Sequence, residues 1–332
     1  MPSQLPYDCF YNIIEFLEED INTLHTFLFV NRLWCEVAVR ILWRNILNDA
    51  RASRKIINTL FTCLPDESKE LLNKNGISIS TPTSKSPLFN YASFCRSLSI
   101  NRIVKMTKYF LKSSELQSPF YESLLRTEIL KMLMKQIPFL NKLTYRRGSW
   151  LSCPKDVAIT HFPGARDCLM GLSELSCSST VNSEIFLQLS KICHNVKSLS
   201  ISFIESTPSD GCKKFISSQN NLKYLSLFMS HKISALSYDL ISNTNLNTVS
   251  KLHLCNYTLL SFVINLTRLE ELVLSYVYSN TLADFKTLQY VSFPYLQILK
   301  FIDKRPEDET LIKFLEINGK NLKRFHPLDV YR

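Results

Sequence analysis

Apolar positions follow a helical period at the start of the chain and a strand-like period in its second half. Phe10, Ile13, Ile14 and Leu17 fall at i, i+3, i+4 and i+7, the spacing of one apolar helix face. Leu5-Pro6 stands just before them. Proline fits a helix only in its first turn, so the helix is predicted to begin there. Asp20 and Asn22 interrupt the pattern and can cap the next turn. Leu24, Phe27 and Leu28 predict a second short helix. Val30, Trp34, Val37, Ala38 and Ile41 predict a third, running into Leu42-Trp43-Arg44.

Three short helices within residues 1–48 enclose too little core to be strongly stable alone, so such a unit completes its core against a partner or a following domain. Two of the three tryptophans, Trp34 and Trp43, lie in this segment; they suit either a bundle core or an interface anchor.

In the second half, a short pattern (apolar-x-x-Leu-x-apolar) recurs. It appears as Leu172–Leu175–Cys177, Val196–Leu199–Ile201, Leu222–Leu225–Leu227, Val249–Leu252–Leu254, Leu269–Leu272–Leu274, Leu296–Leu299–Phe301 and Leu322–Phe325. Between middle positions the steps are 24, 26, 27, 20, 27 and 26 residues. This resembles a leucine-rich repeat, whose units span ~20–29 residues. Leu140–Leu143–Tyr145 and Cys95–Leu98–Ile100 are more distant relatives of the pattern.

Helical spacing lies between the strand-like pieces, at Cys212/Phe215/Ile216, at Leu259/Phe262/Val263/Leu266 and at Leu311/Phe314/Leu315. Asp308 and Glu309 open the last of these, and Gly319 is a candidate C′ residue. The fold class expected is therefore α/β: an N-terminal three-helix unit, then a solenoid with parallel strands on its concave face and helices on its convex face. The alternative for the same residues is an α/β globule with irregular units.

The expected domains are 1–48, a helical and loop connector over 49–95, and the repeats over 96–332. In the connector, helices are expected around Ile56–Leu64 and Glu67–Leu72, and a Ser/Thr/Pro-rich loop over Ser78–Pro87.

Alternation within strands picks out a recognition strip. With Leu199 and Ile201 pointing inward, Ser198, Ser200 and Ser202 line the opposite face. The same logic selects Tyr224, Ser226 and Phe228; Lys251, His253 and Cys255; Glu271, Val273 and Ser275; and Ile298, Lys300 and Ile302. Anchors mixed with polar groups suit protein binding, and Tyr224, Phe228, Lys251, His253, Glu271, Ile298 and Lys300 are the target-binding candidates.

Composition narrows the chemistry. The 332 residues include only 6 glycines, and no two of them make G-x-G, so neither a dinucleotide fingerprint nor a P-loop can be built. No C-x-x-C, H-x-x-x-H or G-x-S-x-G motif occurs, so no metal, cofactor or catalytic site is expected and the chain reads as a non-enzyme. The N-terminus carries no signal-like stretch, and the ten cysteines then read as reduced thiols of a cytoplasmic or nuclear protein. Net charge is +10, concentrated in residues 49–150, which hold 17 basic and 7 acidic side chains. That segment is either a solvated surface or a footprint for an acidic partner or nucleic acid.

The order of residues in the first 45 carries a resemblance. Leu5-Pro6, Ile13-Ile14, Phe16-Leu17, Asp20, Leu24, Val30-Asn31-Arg32-Leu33-Trp34 and Ile41-Leu42-Trp43-Arg44 together resemble the F-box motif, with Cys9-Phe10 and Asn31-Arg32 as departures. The resemblance implies docking onto a Skp-family adaptor and, through it, a cullin. The implied docking residues are Leu5, Pro6, Ile13, Ile14, Leu17, Leu24, Val30, Trp34, Leu42 and Trp43. It further implies a substrate receptor of a ubiquitin ligase whose repeats hold a target protein. The alternatives are a basic solenoid binding nucleic acid or an acidic scaffold, and an F-box assembly factor acting outside a ligase; no membrane role is expected.

Overall fold

The computed structural model describes residues 6–48, 53–77, 87–112, 118–146, 157–203, 209–229, 246–256, 260–276 and 283–329. The chain is α/β and forms two compact units, Met1–Leu143 with Val157–Cys168, and Thr144–Asp156 with Leu169–Arg332. The boundaries expected at 48 and 95 both fall inside the first unit.

Local capping sets the first three helices. α1 (Tyr7–Glu15) begins directly after Pro6, whose carbonyl accepts the Phe10 N–H at 3.0 Å. α2 (Ile21–Phe27) starts at Asp20, whose carboxylate accepts from the Thr23 hydroxyl at 2.6 Å and the Thr23 N–H at 3.1 Å. Those two bonds, the hydroxyl's first, hold the Asp20 carboxyl below its usual value. α3 (Arg32–Arg44) starts at Asn31, which accepts the Trp34 N–H at 3.1 Å, the task a serine or threonine performs at an N-cap. The three helices enclose Ile14, Leu24, Val37, Ala38 and Ile41. Arg44 closes the end of α3 onto α1 through Glu15 at 2.6 Å and Glu18 at 3.2 Å.

The stretch expected as a helical and loop connector packs within the first unit. α4 (Ser53–Thr62) and α5 (Asp66–Lys74) match the two helices expected there, and they bury Ile56, Ile57, Leu60 and Leu72. A further short helix, α6 (Tyr91–Phe94), receives the Trp43 ring on Tyr91 at 4.8 Å and the Arg40 guanidinium over Phe94 at 5.4 Å. Loop residues 78–86 lie outside the described set. The rest of the unit holds β1 (Ser97–Ser99), α7 (Ile100–Lys112), α8 (Pro119–Gln136) and the start of β2 (Lys142–Tyr145), with Leu98 and Leu143 buried.

The second unit is built on a parallel sheet. Its strands are β3 (Glu174–Ser178), β4 (Ser198–Phe203), β5 (Tyr224–Met229), β6 (Lys251–Cys255), β7 (Glu271–Ser275), β8 (Ile298–Ile302) and β9 (Arg324–Asp329), neighbours in chain order. Register follows the repeat: Leu175, Leu199, Leu225, Leu252, Leu272, Leu299 and Phe325 lie opposite one another in turn. Each step delivers a leucine or phenylalanine to the same row, and its even spacing is what a parallel ladder requires.

One face of the sheet is covered by segments that follow the strands: α10 (Ser183–Ile192), α11 (Asp210–Ser217), α12 (Asp308–Asn318) and 3-10 turns. α9 (Ala165–Met170) precedes β3. α10 and α11 approach closely at Gly211, where a Cβ would lie 2.2 Å from the Ser183 carbonyl oxygen, so no larger residue fits.

Two local expectations change. The helix expected over Leu259–Leu266 is a 3-10 turn at Ser261–Asn265, because the short step of 20 residues leaves too few for a longer helix. Gly319 is not a left-handed C′ residue: its φ is −62° and the chain continues into a 3-10 turn.

Candidate interaction surfaces

The first unit keeps an open apolar surface on α1 and on the turn between α2 and α3. On α1 and the residues flanking it, Phe10, Ile14 and Leu17 face inward, whereas Pro6, Cys9, Ile13 and Phe16 lie on the outer side. Ile13 is 55% and Phe16 91% exposed; across the α2–α3 turn Phe29 is 88%, Val30 56% and Leu33 41% exposed. Taking both phenylalanines out of water is worth roughly 1.5–3 kcal/mol each. These exposed apolar side chains make the segment a candidate interaction surface.

Nine of the ten residues implied by the resemblance separate into three sets. Ile13, Val30 and Pro6 are at the surface. Ile14 and Leu24 are buried in the core of the three helices. Leu17, Leu42 and Trp34 pack against that core; Trp34 stands edge-on to Phe10 at 4.9 Å and Phe27 at 4.4 Å, and Trp43 is held by Tyr91. Leu5 lies outside the described residues. Phe16, Phe29 and Leu33 were not among the implied docking residues. Their signal was available, since Phe16 falls outside the inward stripe and Phe29 stands between two helices.

On the second unit, the alternation of each strand leaves one sheet face open, in three rows. The first is Glu174, Ser198, Tyr224, Lys251, Glu271, Ile298 and Arg324. A second row runs Ser176, Ser200, Ser226, His253, Val273, Lys300 and His326, and a third includes Ser202, Phe228, Cys255 and Ile302. All seven target-binding candidates are thus on this face. Tyr224, His253, Glu271, Ile298 and Lys300 are half-buried, and Lys251 and Phe228 are exposed.

Lys251 and Glu271 pair across neighbouring strands at 3.6 Å, an exposed pair worth at most ~1 kcal/mol. Burial pushes the His253 imidazole below its ordinary pKa, with Glu271 opposing in part. Ser275 departs from the strip, being fully buried.

The expected strip left out Glu174, Ser176, Arg324 and His326 of this face, and one further residue beside it. Arg146, just past β2, lays its guanidinium over two strands, donating from Nε to Ser176 Oγ at 2.6 Å and from Nη2 to Ser200 Oγ at 2.9 Å. Tyr145 points inward, so alternation already placed Arg146 outward.

Buried thiols are chemically quiet. Desolvation pushes Cys95, Cys168 and Cys212 up to about 12. Among the described residues no three His, Cys, Asp or Glu side chains gather as metal ligands. No helix among them is long and apolar enough to cross a membrane. No protein-family model matches the chain, and no curated protein matches it.

Proposed function

We propose that the chain is a substrate receptor of a Skp–cullin–F-box type ubiquitin ligase, acting in the cytoplasm or nucleus. α1–α3 form the F-box that docks the adaptor, and the parallel strands belong to a leucine-rich-repeat solenoid whose open face holds a target protein. The chain itself does no chemistry; it contributes proximity, bringing a target lysine near a ubiquitin-charged enzyme held elsewhere.

One observation carries this reading: Ile13, Phe16, Phe29, Val30 and Leu33 stay open although α3 is packed onto α6. A small helical unit sealed by its own chain would leave no such surface.

The test is co-expression with a Skp-family adaptor followed by affinity capture of this chain. Phe16→Asp/Phe29→Asp is expected to abolish co-capture, while Phe120→Asp, at another exposed phenylalanine of the same unit, leaves it intact. Absence of a complex, or equal loss in both variants, overturns the proposal. Trp34 is unsuited to the test because its removal empties an aromatic cluster. Recruitment of a cullin to the captured complex separates a ligase subunit from an assembly factor.

A further inference from the structure

Lys300 and Arg324 stand on the open face of the sheet, on the neighbouring strands β8 and β9. Lys300 lies between Val273 of β7 and His326 of β9, with Ile298 and Ile302 on either side of it along its own strand. It is half-buried, as are all four of those neighbours. Arg324, opposite Ile298, is exposed.

The chain gives neither cation a counter-charge. Among the described residues, neither side chain makes an ion pair or a hydrogen bond. Glu271, the carboxylate on the adjoining strand, is taken by Lys251 at 3.6 Å. Asp303, three residues beyond Lys300, keeps a buried Oδ2 with no hydrogen-bond partner, so it does not close onto Lys300 either. In the free chain water solvates both cations. A segment that covers this patch removes that water, and it must bring opposite charge or leave two cations buried and unpaired.

We infer that the β7–β9 part of the open face holds an extended target segment through two carboxylates two positions apart, one on Lys300 and one on Arg324. This rests on the target-holding role proposed above for the face. Strands ~4.8 Å apart and a rise of ~3.3 Å per residue put the two backbone positions roughly 8 Å from each other. In an extended segment, alternate side chains share a face and stand about 6.7 Å apart. Carboxylates at i and i+2 therefore match the pair, and apolar side chains beyond them meet Val273, Ile298 and Ile302. A phosphoryl group fits less well, because it gathers its charge at one point while the two cations lie on different strands and in different rows.

The experiment titrates the full chain into a fluorescein-labelled peptide, read by anisotropy at 50 and 200 mM NaCl. The peptide carries Val, Glu, Glu and Val at every second position, with Ser between. Three others are measured in parallel: one with Gln for both Glu, one of the same composition with the two Glu adjacent, and one with a single phosphoserine replacing the pair. The Gln peptide is expected to bind at least tenfold more weakly, and the adjacent-Glu peptide at least threefold. Lys300→Glu/Arg324→Glu is expected to weaken binding of the Glu peptide at least tenfold, and Lys300→Gln/Arg324→Gln at least threefold. Lys191→Glu/Lys214→Glu, an equal charge change on α10 and α11, is expected to stay within twofold of the unaltered chain. If the charge-reversed sheet variant loses its folded circular dichroism, the Gln variant decides. No binding of the Glu peptide, equal loss in both charge reversals or in neither, or equal binding of the Gln or adjacent-Glu peptide would overturn the inference. So would tighter Lys300- and Arg324-dependent binding of the phosphoserine peptide. Neither adaptor nor cullin enters this measurement, so a negative result here leaves adaptor capture standing, and loss of adaptor capture leaves the peptide result readable.

Discussion

Gln219 reaches from the end of one repeat to the backbone of the repeat before it: its Oε1 accepts the buried N–H of Val196 at 3.1 Å. Its Nε2 donates to the carbonyls of Cys193 at 2.9 Å and Phe215 at 3.0 Å. Asn318 performs the same task near the other end of the sheet, accepting from the Phe293 N–H at 2.7 Å and donating to Val291 O at 2.9 Å and Phe314 O at 3.1 Å. A strand entered from a buried loop leaves peptide groups that water cannot reach, and at these two junctions one carboxamide satisfies a donor and an acceptor together.

Removing either amide therefore leaves orphaned peptide groups. Each buried unsatisfied group costs roughly 1–3 kcal/mol. Gln219→Leu and Asn318→Leu are each expected to lower unfolding stability by about 2–4 kcal/mol in urea titrations. A loss under about 0.5 kcal/mol, the range of an ordinary surface change, would show that the amides are incidental.

These amides explain what the sequence could and could not reveal. Strand positions were legible because parallel register demands a constant row, and Leu175 through Phe325 supply it at near-constant steps. The junction polar groups were not, because Gln219 and Asn318 occupy no fixed place in the leucine pattern. The outward turn of Ile13 was hidden for a different reason: it lies about 60° from the centre of the stripe formed by Phe10, Ile14 and Leu17, at the margin of an apolar arc. The packing of Trp43 on Tyr91 joins residues far apart in the chain, and no local period reports such a contact.

Burial in the first unit predicts a sharp contrast between two apolar substitutions. Leu24 is 0% exposed within the α1–α3 core, so Leu24→Ala is expected to cost about 2–5 kcal/mol. Phe16 is 91% exposed, so Phe16→Ser is expected to shift stability by no more than about 0.5 kcal/mol. Thermal and urea unfolding of the two variants check this. Comparable losses would mean that Phe16 is covered by its own chain, which would remove the support for docking.

Thiol reactivity gives an independent map of the same surface. Cys9 is exposed on the outer side of α1, whereas Cys95, Cys168 and Cys212 are buried and held protonated by desolvation. Brief iodoacetamide treatment at pH 8, followed by peptide mapping, is expected to modify Cys9 at least tenfold faster than those three. Denaturant should bring the four rates together. If Cys95, Cys168 or Cys212 reacted as fast as Cys9 in the folded chain, the packing described around them would be wrong.

His253 predicts how stability responds to acid. It sits on the open sheet face between Ser226 and Val273, and burial lowers its pKa below the ordinary value of 6.5, only partly offset by Glu271. In the unfolded chain the imidazole takes up a proton near its ordinary value, while in the folded chain it stays neutral to lower pH. The unfolded state then binds more protons across that interval, so stability rises with pH there. The increment is complete above the ordinary imidazole value and is lost as pH falls from there towards the folded-state value. His253→Gln keeps the polar shape without the titration, so its urea midpoint is expected to fall less between pH 7.5 and 5.5 than that of the unaltered chain. Other titrating groups act on both proteins alike, and the difference between the two slopes isolates His253. Parallel slopes, or a steeper one in the variant, would show that the imidazole is not desolvated in the fold.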